Sequence, residues 1–205
     1  MNDLGDVHFF LGLQFTQDEL TITVIQTRYL LSLLQNFGLD CAKLVSTPMA
    51  SGTSLTVNEG ALLSDPTYYR CLVGSLKYLI LTRLNISYEV NNICQFMQHP
   101  WDNHLIAVKR IFRYLKGTLN IGLNFVKAPP LIALHGFYDA DWAGSRDDRH
   151  STTGFAIYIS DDLLSRGAKK QATMSRSTAE AKYHALASTT TELMWFILLL
   201  KSSAI

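Results

Sequence analysis

The sequence predicts a mixed α/β chain of the α+β kind, and three observations carry that prediction. Runs with strand-like alternation lie at both ends: HFFLGLQF and LTITVI near the start, LIALHGFYDAD and TGFAIYIS after residue 130. A block with helical periodicity lies between them. With 48% hydrophobic and 17% charged residues over 205 positions, the composition is that of a globular protein able to bury a core.

The elements follow in order. The first two runs, split by the polar TQDE, predict a hairpin over Val7 to Val24, with Gly12 as a bulge or close-approach point. A helix is expected from Thr27 to Phe37, closed by Gly38 as its C-terminal cap. Residues 46–66 are rich in Ser, Thr, Gly and Pro and form the best linker candidate. Ile86, Val90, Ile93, Cys94 and Met97 then share one helical face, and Leu105, Val108, Ile111, Phe112 and Leu115 form a second apolar stripe stopped by Gly117. Leu119, Ile121, Leu123 and Phe125 alternate as a strand, and Pro129-Pro130 marks a domain boundary. Three strands are expected after it, the third a polar one around Lys169 to Ser175. A long helix from Thr178 completes the order. Ser177 and Glu180 give it a capping box, and Tyr183, Leu186, Ala187, Thr190, Leu193, Met194 and Ile197 are expected to face the core.

Composition excludes several classes. The formal net charge of +1 sets up no global field for nucleic acid, so any such partner must act through local clusters. Cys41, Cys71 and Cys94 have neither zinc-ligand nor disulfide-framework spacing, which points to free thiols in a reducing compartment. The acidic opening MNDLGDVHFF is not a signal peptide, and the apolar run Leu193 to Leu200 is too short to span a bilayer. An intracellular location is expected, without a membrane partner. The apolar pattern starts within ten residues and the chain stops inside an apolar helix, so both ends are expected to be cuts in a longer protein.

Two clusters could carry chemistry. Asp139, Asp141, Asp147 and Asp148 are the densest acidic group, and a carboxylate at the end of a buried strand is an ordinary beginning for a magnesium site, because hard cations prefer oxygen ligands. An acidic loop between strands reads the same in composition. Lys109, Arg110, Arg113 and Lys116 share one helix face; the plain reading is a solvated surface, the sharper one a phosphate-backbone contact. The six histidines have no metal spacing, with His8, His99 and His104 expected at the surface or in packing. No nucleophile-elbow motif supports a serine hydrolase built on His135 or His150, and Trp101, Trp142 and Trp195 read as core or interface aromatics.

FYDADWAGSRDDRHSTTGFAIYI, followed by KKQATMSRSTAEAKYHALASTTTELMW, closely resembles the ribonuclease H region of plant copia-type retrotransposon Pol polyproteins. DPTYYRCLVGSLKYLILTR, ISYEVNNICQFMQHP and AVKRIFRYLKGTLNIGL resemble the stretch between reverse transcriptase and ribonuclease H, and MNDLGDVHFFLGLQF with QTRYLLSLLQNFG and STPM resembles the end of the polymerase domain. The resemblance implies residues 1–50 as that polymerase end, 51–128 as a helical thumb or connection-like region, and 129–205 as an incomplete ribonuclease H-like domain. The family's sheet has five strands, of which this chain supplies about three, which leaves an open sheet edge and an uncovered helix face.

Residue by residue, the resemblance makes Asp139 the first metal-binding carboxylate, with Asp141 a further candidate, and Mg2+ the cofactor. The family's second carboxylate is the later glutamate of an A-E-A-E-Y motif, but this chain reads Ala179-Glu180-Ala181-Lys182-Tyr183. An ammonium there would repel two cations held about 3.5–4 Å apart. Glu180 is turned by roughly 200° on the helix and is expected to act as a cap, while Lys182 is expected to pair with Asp139. Leu84 and Asn85 stand where Pro and Asp are usual, Ser165-Arg166-Gly167-Ala168 replaces a Trp-containing run, and no YxDD-like polymerase motif occurs. Three readings follow: a Pol fragment without activity of its own, a non-catalytic nucleic-acid-binding module, and an active magnesium-dependent ribonuclease H. The implied partners are an RNA–DNA hybrid or other nucleic acid and the rest of the polyprotein. The implied location is cytoplasmic, in a virus-like particle for the intact family, or nuclear.

Overall fold

In the computed structural model, which describes residues 7–50, 52–53, 55–57, 59–126 and 133–203, Leu11 and Gly12 both hold positive φ, at 48° and 77°. They form the two-residue turn between β1 (Phe9–Phe10) and β2 (Leu13–Gln17), where paired positive φ values match the strand twist. Gly12 is therefore a turn residue and not a bulge. The Pro129-Pro130 break, the first residues of LIALHGFYDAD and the opening MNDLGD lie outside the described residues. The chain forms two units, Met1–Lys127 and Ala128–Ile205.

In the first unit, β2 pairs antiparallel with β3 (Thr21–Ile25), giving the expected hairpin. Helix α1 (Thr27–Asn36) ends as the sequence requires. Gly38 sits at φ +63°, its N–H donates to the Gln35 carbonyl, and the Leu39 N–H reaches back to the Leu34 carbonyl at 2.8 Å. That is the Schellman pattern, with Leu34 and Leu39 both buried as its apolar contact. Helix α2 (Pro66–Leu79) starts where Asp65 accepts from the Thr67 N–H and Pro66 occupies the first turn. A short 3-10 turn (Leu84–Ile86) leads into α3 (Ser87–Cys94), followed by α4 (Asp102–Lys116).

Leu72, Leu76 and Leu79 of α2, Ile86, Val90 and Ile93 of the 3-10 turn and α3, and Val108, Ile111, Phe112 and Leu115 of α4 are fully buried in one core with Leu30 and Leu34 of α1. Both sequence-predicted helical stripes therefore face inward. The expected strand from Leu119 is shorter, β4 (Leu123–Val126), because Leu119 packs against the helical core and Thr118 is drawn to Arg83. β4 pairs antiparallel with β3, so residues 123–126 return to the opening hairpin in the order β1-β2-β3-β4. Gly122 permits this, since a Cβ there would collide with the Val24 carbonyl oxygen.

Among the described residues of the 46–66 stretch, several are fastened to α4 and the residue before it. Leu62 bridges Trp101, Asp102 Oδ1 accepts from the Ala61 N–H at 3.1 Å, and the wholly buried His104 contacts the Thr56 carbonyl at 3.0 Å. His104 also accepts the Trp101 N–H at Nδ1 and stacks on Phe96, so it is a satisfied packing histidine.

The second unit is an antiparallel meander, β5 (Leu134–Asp141), β6 (Thr152–Ile159) and β7 (Asp162–Lys170), with α5 (Thr178–Ser203) packed on β5 and β6. The third strand ends at Lys170, whereas the sequence places it around Lys169 to Ser175. A tight turn with Ser160 at φ +53° brings β7 back immediately after β6.

The buried face of α5 also differs from the expected one. Ala181, Ala185 and Thr189 face the sheet; of the expected stripe Leu193 packs over Gly136 and Ile197 is half-buried, whereas Tyr183 (72% exposed), Leu186, Ala187, Thr190 and Met194 face away. Close approach selects small residues here: a Cβ on Gly136 would stand 2.6 Å from Leu193, and Ala140 packs with Ala181 and Ala185. At 26 residues α5 is roughly 39 Å long against about 27 Å for the 8-residue β5, so its last turns overhang the sheet. Trp195, Leu198 and Leu199 are exposed in consequence.

Candidate functional site

Asp139 lies near the end of β5, which pairs on one side with β6 and is an edge of the described sheet. Lys182 lies just beyond the first turn of α5. The helix is fixed there by Ser177, whose Oγ accepts the Glu180 N–H at 3.1 Å and whose carbonyl accepts the Ala181 N–H. This placement brings Lys182 Nζ to 3.5 Å from Asp139 Oδ1. Both side chains are solvent-exposed, 54% for Lys182 and 79% for Asp139, so the pair contributes little to stability. Its consequence is local: a positive charge stands beside the first carboxylate that the resemblance marks for a metal.

The other acids of the sequence cluster are dispersed. Glu180 accepts the Arg176 N–H at 2.8 Å, one residue further back than in a standard capping box, and has His184 at 3.9 Å. It is a helix cap, as its spacing predicted. The Asp141 carboxylate folds over Gly144, in space that a Cβ would fill. Asp148 receives Lys170 Nζ at 2.6 Å and the His150 N–H, tying the β5–β6 loop to β7. Slight burial opposes ionisation of Asp148, but the hydrogen bonds from Lys170, Ser145 and the His150 backbone outweigh it and hold its pKa well below the usual carboxylate range. Among the described residues, no three His, Cys, Asp or Glu side chains converge as a metal site would require.

The basic face of α4 turns inward on the chain. Arg110 donates to Thr47 Oγ1 at 2.9 Å, Arg113 Nε to the Lys43 carbonyl at 2.6 Å, and Lys116 Nζ to the Ala42 carbonyl at 2.9 Å. These three cations satisfy carbonyl and hydroxyl acceptors of residues 42–47, a segment with no helix or strand of its own. Lys109, on the same face, is half-buried. Charge periodicity alone could not separate this clamp from a solvent-facing stripe.

Sequence reasoning missed a polar node beneath α5. Gln171 Nε2 donates to Thr153 Oγ1 at 3.1 Å and to the Ala181 carbonyl at 2.9 Å, while its Oε1 accepts from Ser175 at 2.8 Å. Trp142 adds an N–H bond to the Ser175 carbonyl at 3.0 Å. A lone glutamine between a strand and a helix gives no periodic or motif signal, so nothing in the sequence advertised it.

The chain is 44% identical over 98% of its length to the retrovirus-related Pol polyprotein from transposon RE1 of Arabidopsis thaliana. It is 35% identical over 95% of its length to the corresponding protein from transposon TNT 1-94 of Nicotiana tabacum. The chain belongs to the copia-type retrotransposon Pol polyproteins. It spans only 14% and 15% of those two relatives. An uncharacterized mitochondrial protein of Arabidopsis thaliana is 43% identical over 95% of the chain, which covers 80% of that protein. No family model matches this copia-type segment, and no solved structure matches it. No helix among its described residues is long and apolar enough to cross a membrane.

Proposed function

We propose that this copia-type Pol segment joins the end of a reverse transcriptase to a ribonuclease H-like unit that is hydrolytically silent. The observation that carries the reading is the Lys182–Asp139 pair at 3.5 Å. In phosphodiester hydrolysis by two metals, anionic oxygens hold the cations that position water and stabilise the leaving oxygen. Here the site offers Asp139 with an ammonium against it and Asp141 folded over Gly144, while Glu180 is taken up by the Arg176 N–H. That donor set does not fit Mg2+. The chain's family role, copying RNA and removing the RNA strand of the hybrid, then depends on carboxylates that these residues do not supply.

The test is cleavage of a labelled RNA–DNA hybrid by the purified chain with magnesium or manganese, beside Asp139→Asn. A silent site gives no cleavage from either protein above a protein-free control. Cleavage by the parent chain that disappears in Asp139→Asn overturns the reading and restores an active ribonuclease H.

A nucleic-acid-binding role through Lys109, Arg110, Arg113 and Lys116 is less favoured, because three of these cations are already bound to residues 42–47.

A further inference from the structure

A groove of about 270 Å³ opens between the end of β7 and the face of α5 that carries His184 and Ser188. It lies within the second unit, and it does not include Asp139 or Lys182. We propose that this groove binds a phosphate-class oxyanion.

Its walls bring donors together from three elements. Lys169 on β7 is paired in register with Thr153 on β6, which places both side chains on the α5 face of the sheet. Thr173 follows β7, and Ser188 and His184 come from the helix. Among the described residues no carboxylate lines the groove. Two lining residues already have acidic partners: Glu180, which also accepts the Arg176 N–H, stands 3.9 Å from His184, and Asp148 binds Lys170. Lys169 has no ion-pair partner among the described residues.

The floor of the groove is preorganised. Thr153 is 3% exposed, and its Oγ1 accepts from Gln171 Nε2 at 3.1 Å. Gln171 is in turn held by the Ala181 carbonyl and by Ser175. The Thr153 hydroxyl proton therefore remains for an acceptor in the groove. A buried hydroxyl, an unneutralised ammonium and hydroxyls from two further elements suit a ligand with several acceptor oxygens around one centre. A metal cation would meet Lys169 and find no anionic oxygen.

Two sources share this chemistry, a free phosphate or nucleotide and the backbone of a nucleic acid. The experiment titrates the isotopically labelled full chain with inorganic phosphate, adenosine monophosphate, a short RNA–DNA hybrid and acetate, following amide shifts. Saturable shifts at Thr153, Lys169, Thr173 and Ser188 with phosphate-bearing ligands, and none with acetate, are expected. Lys169→Gln and Thr153→Val should each weaken binding about tenfold, while Lys201→Gln leaves it unchanged. Shifts with phosphate and the mononucleotide but not the hybrid identify a small ligand. Tighter binding of the hybrid that falls steeply with salt identifies a nucleic-acid backbone. Absence of saturable shifts with every phosphate, equal response to acetate, or full affinity in folded Lys169→Gln would overturn the proposal.

Discussion

Arg113 Nε donates to the carbonyl of Lys43 at 2.6 Å, joining the last turn of α4 to a segment seventy positions earlier. Arg110 and Lys116 make the same kind of contact one turn to either side, at Thr47 and Ala42. Cations on a helix face thus serve as side-chain partners for irregular backbone.

Arg113→Ala should release residues 42–47. Loss of one charge-assisted bond at a partly exposed position costs about 1 kcal/mol, so the melting temperature is expected to fall by a few degrees. Limited proteolysis is the sharper reading, with new cleavage between Lys43 and Thr47. If Arg113→Ala leaves the proteolysis pattern unchanged but lowers the salt dependence of nucleic-acid binding, the face is a phosphate contact and not a clamp.

Helix α5 supplies an independent check on packing. Ala185→Leu inserts a large side chain between α5 and the sheet and is expected to destabilise the second unit by about 1–3 kcal/mol. Tyr183→Lys, on the opposite face, should change stability by less than about 0.5 kcal/mol. Chemical denaturation of the two variants distinguishes the observed helix face from the one expected from apolarity, which predicts the reverse order.

That reversal shows what was legible in the sequence. The cap at Gly38 and the stripes of α3 and α4 could be read directly, because turn chemistry and 3.6-residue periodicity act locally. In α5 both faces are rich in apolar or small residues, so hydrophobicity does not choose between them. The choice is made on β5, where Gly136 leaves room for Leu193 and Thr189, and Ala140 packs against Ala181 and Ala185. The short β4 is a similar case: its alternation was visible, but its pairing with β3, about a hundred residues away, depends on Gly122. Lys182 beside Asp139 was legible through the family resemblance, which puts Lys182 where the family has its second carboxylate. The dispersal of Asp141 and Asp148 was not, since it depends on the backbone near Gly144 and on Lys170.

Asp148 makes an acid-side prediction. Its folded-state pKa is depressed, so its contribution to stability is present above the ordinary carboxylate pKa of about 4 and is lost as pH falls below it. Asp148→Asn should therefore lower stability at neutral pH and flatten the fall between about pH 4 and pH 2. Equal acid profiles for parent and variant, measured by denaturant unfolding across that range, would rule the linkage out.

The most direct measurement of the central claim is magnesium binding by the parent chain and by Lys182→Glu, followed by calorimetry and by amide shifts at Asp139. The account predicts no saturable binding by the parent and a gain of about tenfold or more in affinity for Lys182→Glu, because the change removes the ammonium and adds a carboxylate beside Asp139. Saturable magnesium binding at Asp139 in the parent, or a folded Lys182→Glu that gains no affinity, would contradict it.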